Sequence, residues 1–262
     1  MANMTSSVSA SQVAGELASA TFEEIPALVE HYREDPRQQV IKACERALKR
    51  HAKELSERER VNDMYELMHE LGGDGVVVGV DEVGRGSVAG PLTVCAVCLP
   101  MEPRIWGIND SKKLTPARRE LLSVKIAEVA TAIGFCHIAP ADIDEMGMAR
   151  AIRAAVAGAV ADTGLEPDCV LMDGNPLGAV PHERDVVKGD AKIACIAAAS
   201  IMAKVTRDEM MVEYDAEYPE YHLAESKGYA SPEHIEAIRK HGLSPLHRVS
   251  FCGNFLQTER LF

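Results

Sequence analysis

From about residue 73 onward, short runs of continuous apolar residues alternate with longer segments of helical periodicity. The apolar runs have the length of strands, and helix-start signals such as Thr115-Pro116 stand between them. The predicted strands are Val76–Val80, Leu92–Leu99, Gly134–Ala139 and Cys169–Met172. The predicted helices are Pro116–Ala132, Ala141–Asp162, Asp190–Glu217 and Ser231–His241. A tight link joins the first two strands, so we expect them to be antiparallel neighbours in the mixed sheet of an α/β domain.

The chain before Gly72-Gly73 has a different pattern. Residues 1 to about 20 are small and polar, and we expect them to be disordered. Asp35-Pro36 is a helix-start signal. Two apolar stripes at three- and four-residue steps follow it: Ile41, Cys44, Leu48 and Leu55, then Val61, Met64, Met68 and Leu71. We therefore predict an N-terminal extension over residues 1–72 that contains a helical hairpin, and an α/β domain over residues 73–262.

Two interpretations of the extension remain open. Its apolar stripes are typical of helices that pack on each other or on the main domain. The alternative is an accessory arm that helps to hold a substrate or a partner. The extension has 13 acidic residues and nine basic ones, a balance that weakens the nucleic-acid version of the second interpretation.

Composition narrows the classes of protein that fit. The formal charge of −12 argues mildly against a protein that coats nucleic acid, but it leaves room for a local basic cleft or for metal-assisted binding. Seven dispersed cysteines favour a reduced, cytoplasmic protein over a disulfide framework. Cys95 and Cys98 form a C-x-x-C, but residues three apart on a strand face opposite sides, so no zinc or redox site is expected. We see no secretory signal and no stretch of bilayer length, which excludes a membrane protein.

Two adjacent acids interrupt the first apolar strand. Asp81-Glu82 follows the run Val76–Val80 and leads into Gly84-Arg85-Gly86. A buried strand disfavours charges, and the glycines allow the chain to bend and the backbone to approach a ligand closely. This stretch therefore indicates a site where carboxylates are held beside a bound group.

Other acids join this candidate site from later in the chain. Asp173 closes the strand Cys169–Met172, and Asp208 lies one helical turn from Lys204. Each has an ordinary structural interpretation, the first as part of a turn and the second as an exposed helix charge. Active sites of α/β sheets nevertheless collect beyond the carboxyl ends of strands, and clustered carboxylates without His or Cys favour Mg²⁺ or Mn²⁺ over zinc.

Seven blocks of sequence together resemble the signatures of the ribonuclease HII family. They occur in the family's order over about residues 73–251, and the stretch before Gly72 resembles the extension that some bacterial members carry. The blocks are Asp81–Gly86 with Ala89-Gly90-Pro91, Asp110–Leu114, Met172–Asn175, Lys188–Ala191, Ile196–Asp208, Lys227-Gly228-Tyr229 and His247–Phe251.

The resemblance implies a ribonuclease H-like mixed five-stranded sheet flanked by helices and preceded by a small helical extension. It implies hydrolysis of RNA in RNA–DNA hybrids and incision 5′ of single ribonucleotides in duplex DNA, leaving 3′-hydroxyl and 5′-phosphate ends. The nucleic acid is thus the expected partner, and a monomer the expected state.

The resemblance also assigns roles to residues. The metal-binding acids for two Mn²⁺ or Mg²⁺ ions are Asp81, Glu82, Asp173 and Asp208. The ribonucleotide and its 2′-hydroxyl are expected to contact Gly84, Arg85 and Gly86, while Tyr229 lies against the sugar on the DNA side of the junction. The candidate phosphate contacts are Lys112, Lys113, Lys188, Lys192, Lys204, Lys227 and Arg248, each of which is also a plausible solvated base.

Three alternatives remain at this point. Ribonuclease HIII lacks an arginine at the position of Arg85 and has a different N-terminal domain. A non-catalytic hybrid-binding module would not need all four acids, and an unrelated metal phosphatase would not need Lys227-Gly228-Tyr229. His182, His222 and His247 are interpreted as structural or phosphate-neighbouring, because acids and metal ions suffice for the reaction that the resemblance implies.

Overall fold

The computed structural model describes residues 8–256 and divides the chain into two compact units, with the boundary between Arg60 and Val61. In the second unit a five-stranded mixed sheet has the strand order β3-β2-β1-β4-β5. The strands are β1 (Val77–Val83), β2 (Leu92–Cys98), β3 (Ala132–Ile138), β4 (Cys169–Asp173) and β5 (Glu183–Val186). β1 pairs with β2 in antiparallel fashion and with β4 in parallel fashion. The predicted fold class and the predicted antiparallel pair are therefore confirmed.

Ten α-helices accompany the sheet within residues 8–256. They are α1 (Ala10–Ser19), α2 (Ile25–His31), α3 (Gln38–Gly72), α4 (Pro116–Val129), α5 (Pro140–Met146), α6 (Met148–Asp162), α7 (Ala194–Glu217), α8 (Leu223–Ser226), α9 (Pro232–His241) and α10 (Val249–Cys252). No helix in this part of the chain is both long enough and apolar enough to cross a membrane.

Apolar clusters cover both faces of the sheet. One contains α7, α4 and the end of α3, with Cys95 and Leu171 from the strands. The other contains α6 and the alternate strand residues, such as Cys98 and Val170. Cys95 and Cys98 thus lie on opposite faces, as the strand periodicity predicts. The core of the first unit is formed by α1, α2 and the beginning of α3, through Val13, Leu17, Ile25, Val40, Ala43 and Ala47.

The structure corrects several predicted elements. The predicted hairpin is a single helix, α3, and its residues Ile41, Leu48 and Leu55 are exposed, because the buried face is one residue out of step. Part of the segment expected to be disordered is the helix α1, which begins with a Ser9 capping box, whereas residues 1–7 lie outside the described part.

Two further corrections concern the second unit. The predicted helix Ala141–Asp162 is divided at Gly147, where φ is +78° and the backbone leaves the helical region. β5 was not predicted by the apolar pattern, because it is a short edge strand of sequence Glu-Arg-Asp-Val.

Candidate active site

Two acidic side chains are neighbours at the carboxyl ends of the parallel strands β1 and β4. The register pairs Val80 with Met172, so Asp81 and Asp173 follow at the same edge of the sheet. The Asp81 side chain is buried, and its Oδ1 accepts a hydrogen bond from the backbone N–H of Glu82 at 2.8 Å. The two acids that the strand pattern predicts are thus brought together.

Burial and mutual repulsion raise the pKa values of these acids. Burial, followed by the charge of Glu82 and then that of Asp173, raises the pKa of Asp81 to about 8. Burial also raises the pKa of Glu82, against the opposing effect of Arg85, and Asp173 adds to the rise. Burial and mutual repulsion therefore disfavour the charged forms of both acids, and a cation placed beside them would oppose this effect.

A buried pair of serine hydroxyls supports Asp81 from behind. Ser200 of α7 hydrogen-bonds to Asp81 and favours its charged form, and the hydroxyl oxygens of Ser111 and Ser200 are 2.9 Å apart. The sequence prediction included both residues only within motif blocks and gave neither of them a role. Ser200 lies in a fully buried run of α7, Ala194–Ile201. A hydroxyl in such a run is a usable signal, since buried polar groups need partners.

A lysine stands beside this group of acids. The Nζ of Lys112 lies 3.7 Å from a carboxylate oxygen of Asp190. Burial lowers the pKa of Lys112, but the surrounding carboxylates outweigh this effect and raise it; they are Asp81, Asp110, Asp190 and Asp173. Asp190 is an acid that the predicted site left out, and burial followed by the charge of Asp173 raises its pKa. Lys112, which is predicted to contact phosphate, thus lies within reach of the acids.

Asp208 is held differently from the strand acids. It lies on α7, and its Oδ1 accepts a hydrogen bond from the Nζ of Lys204 at 2.7 Å. Lys227 donates from its Nζ to the Asp208 carbonyl oxygen at 3.5 Å. Asp208 and Lys227 also line an open groove of about 520 Å³ between α4 and α7. Two of the predicted basic contacts thus stand next to the fourth predicted acid.

The acids suit a hard divalent cation by their chemistry. Their ligand atoms are carboxylate oxygens, and a cation would reverse the pKa shifts of Asp81 and Glu82. As arranged in residues 8–256, no three His, Cys, Asp or Glu side chains stand close enough together to hold a metal ion. Asp81, Glu82 and Asp173 therefore form one electrostatic group, while Asp208 is paired with Lys204.

The turn after β1 is built around the buried guanidinium of Arg207. Gly84 has a φ of +86°, and a Cβ there would lie 2.4 Å from the Arg207 Nε and 2.8 Å from the Pro91 carbonyl oxygen. The position of a Cβ at Gly86 has no atom within 4 Å. Gly84 is therefore required by the packing of the turn, whereas Gly86 leaves space beside the backbone open.

The turn that carries Tyr229 is hydrogen-bonded to the glycine turn. The backbone N–H of Ala89 donates to the Gly228 carbonyl at 3.1 Å, and Arg207 donates from its Nη1 to the Lys227 carbonyl at 2.8 Å. The guanidinium carbon of Arg207 lies 5.8 Å from the centroid of the Tyr229 ring. Tyr229 itself is 41% exposed, so its ring is accessible. Arg207, which the prediction included only within a motif, connects the two turns.

Two buried histidines fix the backbone of Tyr229 from the inside. The Nδ1 of His234 lies 2.8 Å from the Tyr229 carbonyl oxygen, and its Nε2 lies 3.1 Å from the His247 Nε2. Because a carbonyl only accepts, the proton of neutral His234 is on Nδ1, and His247 donates through Nε2. Burial, and then His234, lowers the pKa of His247 to about 4. This arrangement agrees with the structural interpretation of His247.

Arg248 does not occupy the position that a phosphate contact needs. Its side chain is fully buried and donates to the carbonyl oxygen of Gly90 at 2.9 Å and to that of Arg85 at 3.2 Å. It therefore braces the turn that presents Arg85, whose own guanidinium lies 3.7 Å from a Glu82 carboxylate oxygen. The other predicted bases are either exposed, as Lys112, Lys113, Lys188 and Lys192 are, or half-buried beside Asp208, as Lys204 and Lys227 are.

Two family models match successive stretches of the chain. The family model Ribonuclease HII matches residues 78–254, and the model Ribonuclease HII N-terminal domain matches residues 9–71. Ribonuclease HII of Geobacillus thermodenitrificans is 42% identical over 225 residues, which cover 85% of this chain and 87% of the relative. Ribonuclease HII of Ruminiclostridium cellulolyticum is 43% identical over 204 residues, which cover 77% of this chain and 80% of the relative. The crystal structure of ribonuclease H2 from Pyrococcus horikoshii matches 70% of this chain and 99% of its own, with a TM-score of 0.59 and 26% identity.

Proposed function

The chain belongs to the ribonuclease HII family, enzymes that cleave the RNA strand of RNA–DNA hybrids, and we propose that it also incises duplex DNA 5′ of a single embedded ribonucleotide. The family depends on divalent metal ions. We further propose that two such ions, Mn²⁺ or Mg²⁺, act here and that the products carry 3′-hydroxyl and 5′-phosphate ends.

The observation that carries the proposal is the buried carboxylate of Asp81, near the carboxyl end of β1. Its neighbours are Glu82 and Asp173, and burial with mutual repulsion raises its pKa to about 8. We assign these three acids and Asp208 as the metal-binding residues. When bound, the ions supply an activated water and stabilise the leaving oxygen of the phosphodiester. Ser200 holds Asp81 in place through its hydrogen bond.

Recognition of the ribonucleotide is assigned to the two connected turns. The open space at Gly86 lets the backbone approach a sugar edge, and the exposed ring of Tyr229 offers an apolar face to the neighbouring deoxyribose. Because Val83 alone separates Glu82 from the Gly84–Gly86 turn, we place the recognised 2′-hydroxyl next to the acids. We propose Lys112, Lys113 and Lys188 as phosphate contacts. Lys204 and Lys227 are proposed as further phosphate contacts, close to Asp208.

We expect this protein to incise a DNA duplex that carries one ribonucleotide when Mn²⁺ or Mg²⁺ is supplied. The cut is expected on the 5′ side of the ribonucleotide, as the resemblance to ribonuclease HII implies. End-labelled duplexes resolved on a sequencing gel give the position and the chemistry of the ends. The all-DNA duplex of the same sequence is the control, and its incision to the same extent, or no incision with either metal, would overturn the proposal.

The two glycines of the turn are expected to respond differently to alanine. Gly86→Ala leaves the melting temperature unchanged, since its Cβ meets no atom, and it weakens the preference for a ribonucleotide over a deoxyribonucleotide. Gly84→Ala lowers the free energy of unfolding by about 1 to 3 kcal/mol, because φ is +86° and the Cβ meets Arg207. Thermal melting and incision rates on the matched pair of duplexes measure both effects. Equal losses of stability in the two variants would contradict the assignment.

A further inference from the structure

The first unit contains a row of positive charges on the outward side of α3. The row consists of Lys42, Arg46, Lys49 and Lys53, all of which are exposed; we refer to these four residues as the basic row. Their spacing of four, three and four residues places them on one face of the helix, since each residue turns the helix by about 100°. Between the first and the last of them, Glu45 is the only acidic residue.

The basic row differs from the other arginines of this unit, which are held by carboxylates or by the carbonyls at the end of α1. Four arginines of the unit are paired with carboxylates: Arg33 with Glu30, Arg37 with Asp35, Arg58 with Glu23 and Glu54, and Arg60 with Glu57. Arg50 donates to three carbonyls at the end of α1. Within residues 8–256, by contrast, no carboxylate lies within ion-pair distance of any member of the basic row; Arg46 donates only to the Lys42 carbonyl, at 3.2 Å.

We propose that the basic row binds the phosphate backbone of a nucleic-acid duplex and so forms a second substrate contact, separate from the active site. This inference rests on the proposed function, since it takes the duplex of that reaction as the occupant. The segment from Lys42 to Lys53 spans about 16 Å of helix, which corresponds to roughly five phosphates of one strand at 3.4 Å each along the axis. Four unpaired cations over that length match a polyanion of regular spacing.

Because the whole chain is negatively charged, binding of a polyanion requires a local concentration of positive charge. A polyanion is repelled by a protein with a formal charge of −12, unless positive charge is concentrated where contact occurs. Residues 1–72 as a whole contain more acids than bases, so their net charge does not indicate the basic row. Most of these acids are paired with other arginines or lie outside residues 42–53.

The test compares two variants that each lose four positive charges. The first is Lys42→Gln/Arg46→Gln/Lys49→Gln/Lys53→Gln, which keeps good helix formers along α3. The matched control is Lys125→Gln/Arg150→Gln/Arg239→Gln/Lys240→Gln, exposed bases of α4, α6 and α9. Binding of each variant to a long duplex and to a short duplex is measured without divalent ions, over a series of salt concentrations. Circular dichroism shows whether both variants are folded.

The expected result is a loss of affinity for the long duplex that is confined to the first variant. Each lost phosphate contact lowers the slope of log K against log salt by about 0.9, so we expect the slope to fall by roughly 2 to 4 and the affinity by roughly tenfold or more at low salt. Turnover at saturating substrate is expected to stay at the wild-type value, with KM raised. If the control loses as much as the first variant, or if neither loses affinity, the inference is wrong.

Other occupants give distinct outcomes. The wild-type protein could bind phosphatidylglycerol vesicles more tightly than the duplex and lose this binding in the first variant. That result would mean that the basic row binds a membrane surface, and it would overturn the inference. Failure of the wild-type protein to incise the ribonucleotide-containing duplex would overturn the proposed function alone, because the binding comparison is made without cleavage.

Discussion

Replacing Asp81 with asparagine is expected to remove nearly all hydrolysis while making the metal-free protein more stable. The loss of activity follows from the proposed role of Asp81 as a metal ligand. Residues that only orient metal ligands already change activity by about 10- to 100-fold, so the loss of a ligand is expected to exceed about 100-fold. Asparagine keeps the shape of the side chain and removes its charge.

The gain in stability follows from the direction of the pKa shift. The pKa of Asp81 is raised to about 8 in the folded protein, because the side chain is buried beside Glu82 and Asp173. The unfolded chain therefore gives up this proton more readily than the folded one. The contribution of Asp81 to stability is fully present below the ordinary pKa of an aspartate and is lost progressively as the pH rises towards 8. At neutral pH we expect Asp81→Asn to raise the free energy of unfolding by about 1 to 3 kcal/mol.

Denaturant unfolding from pH 5 to pH 8 without metal ions measures this effect. The wild-type protein is expected to lose stability over this interval relative to Asp81→Asn. Asp142→Asn, at an exposed position of α5, is the control and is expected to change neither stability nor activity. Addition of Mn²⁺ is expected to raise the melting temperature of the wild type more than that of Asp81→Asn, by mass action on a folded-state site. Full activity in Asp81→Asn, or a variant less stable than the wild type across the interval, would contradict the assignment.

The sequence predicted the acids of the strands well because the signal is local. An apolar run of strand length that ends in a carboxylate reports both the burial of the strand and the position of its end. Asp173 could therefore be placed at the end of β4, whereas β1 continues past the predicted end, through Asp81 and Glu82 to Val83. Lys204 and Asp208 could be placed on one helix face for the same reason, since four residues make about one turn.

The supporting residues could not be found in this way because their partners are far along the chain. Arg207 is buried and donates to the carbonyl oxygens of Pro91, Ala89 and Lys227, two of which lie more than 110 residues away. Arg248 bonds in the same way to the carbonyls of Gly90 and Arg85. A base in a sequence is expected at the surface, and only the fold shows that these two guanidinium groups satisfy buried carbonyls.

In the N-terminal unit the sequence prediction failed for a different reason, which concerns the buried face of α3. The apolar residues of residues 41–55 suggested a buried stripe at Ile41, Leu48 and Leu55, yet the buried face consists of Val40, Ala43 and Ala47. Small alanines carry little hydrophobic signal in a periodicity count, but they allow α1 and α2 to approach α3 closely. The larger residues were therefore assigned to the wrong face.

Gly79→Ala is expected to destabilise the second unit severely, because β1 and α7 approach each other through their backbones at this position. A Cβ on Gly79 would lie 2.3 Å from the carbonyl carbon of Cys195 and 2.5 Å from the backbone nitrogen of Ile196. Neither atom belongs to a flexible side chain, so the helix has to move away from the strand. Gly79 lies within the predicted strand, and a glycine inside a strand is a known signal of close approach.

The cost of this movement is expected to reach about 3 kcal/mol, the upper part of the range for overpacked cores. Because α7 carries Ser200 and Asp208 while β1 carries Asp81, the same shift is expected to lower activity in whatever fraction remains folded. Gly15→Ala in α1 is the matched control: its Cβ meets no atom within 4 Å, and alanine favours the helix by about 1 kcal/mol. Urea unfolding and incision rates on both variants separate the two effects. A Gly79→Ala protein with wild-type stability would mean that α7 can withdraw from β1 at no cost, and the acids of strand and helix would then not be held in register by backbone contact.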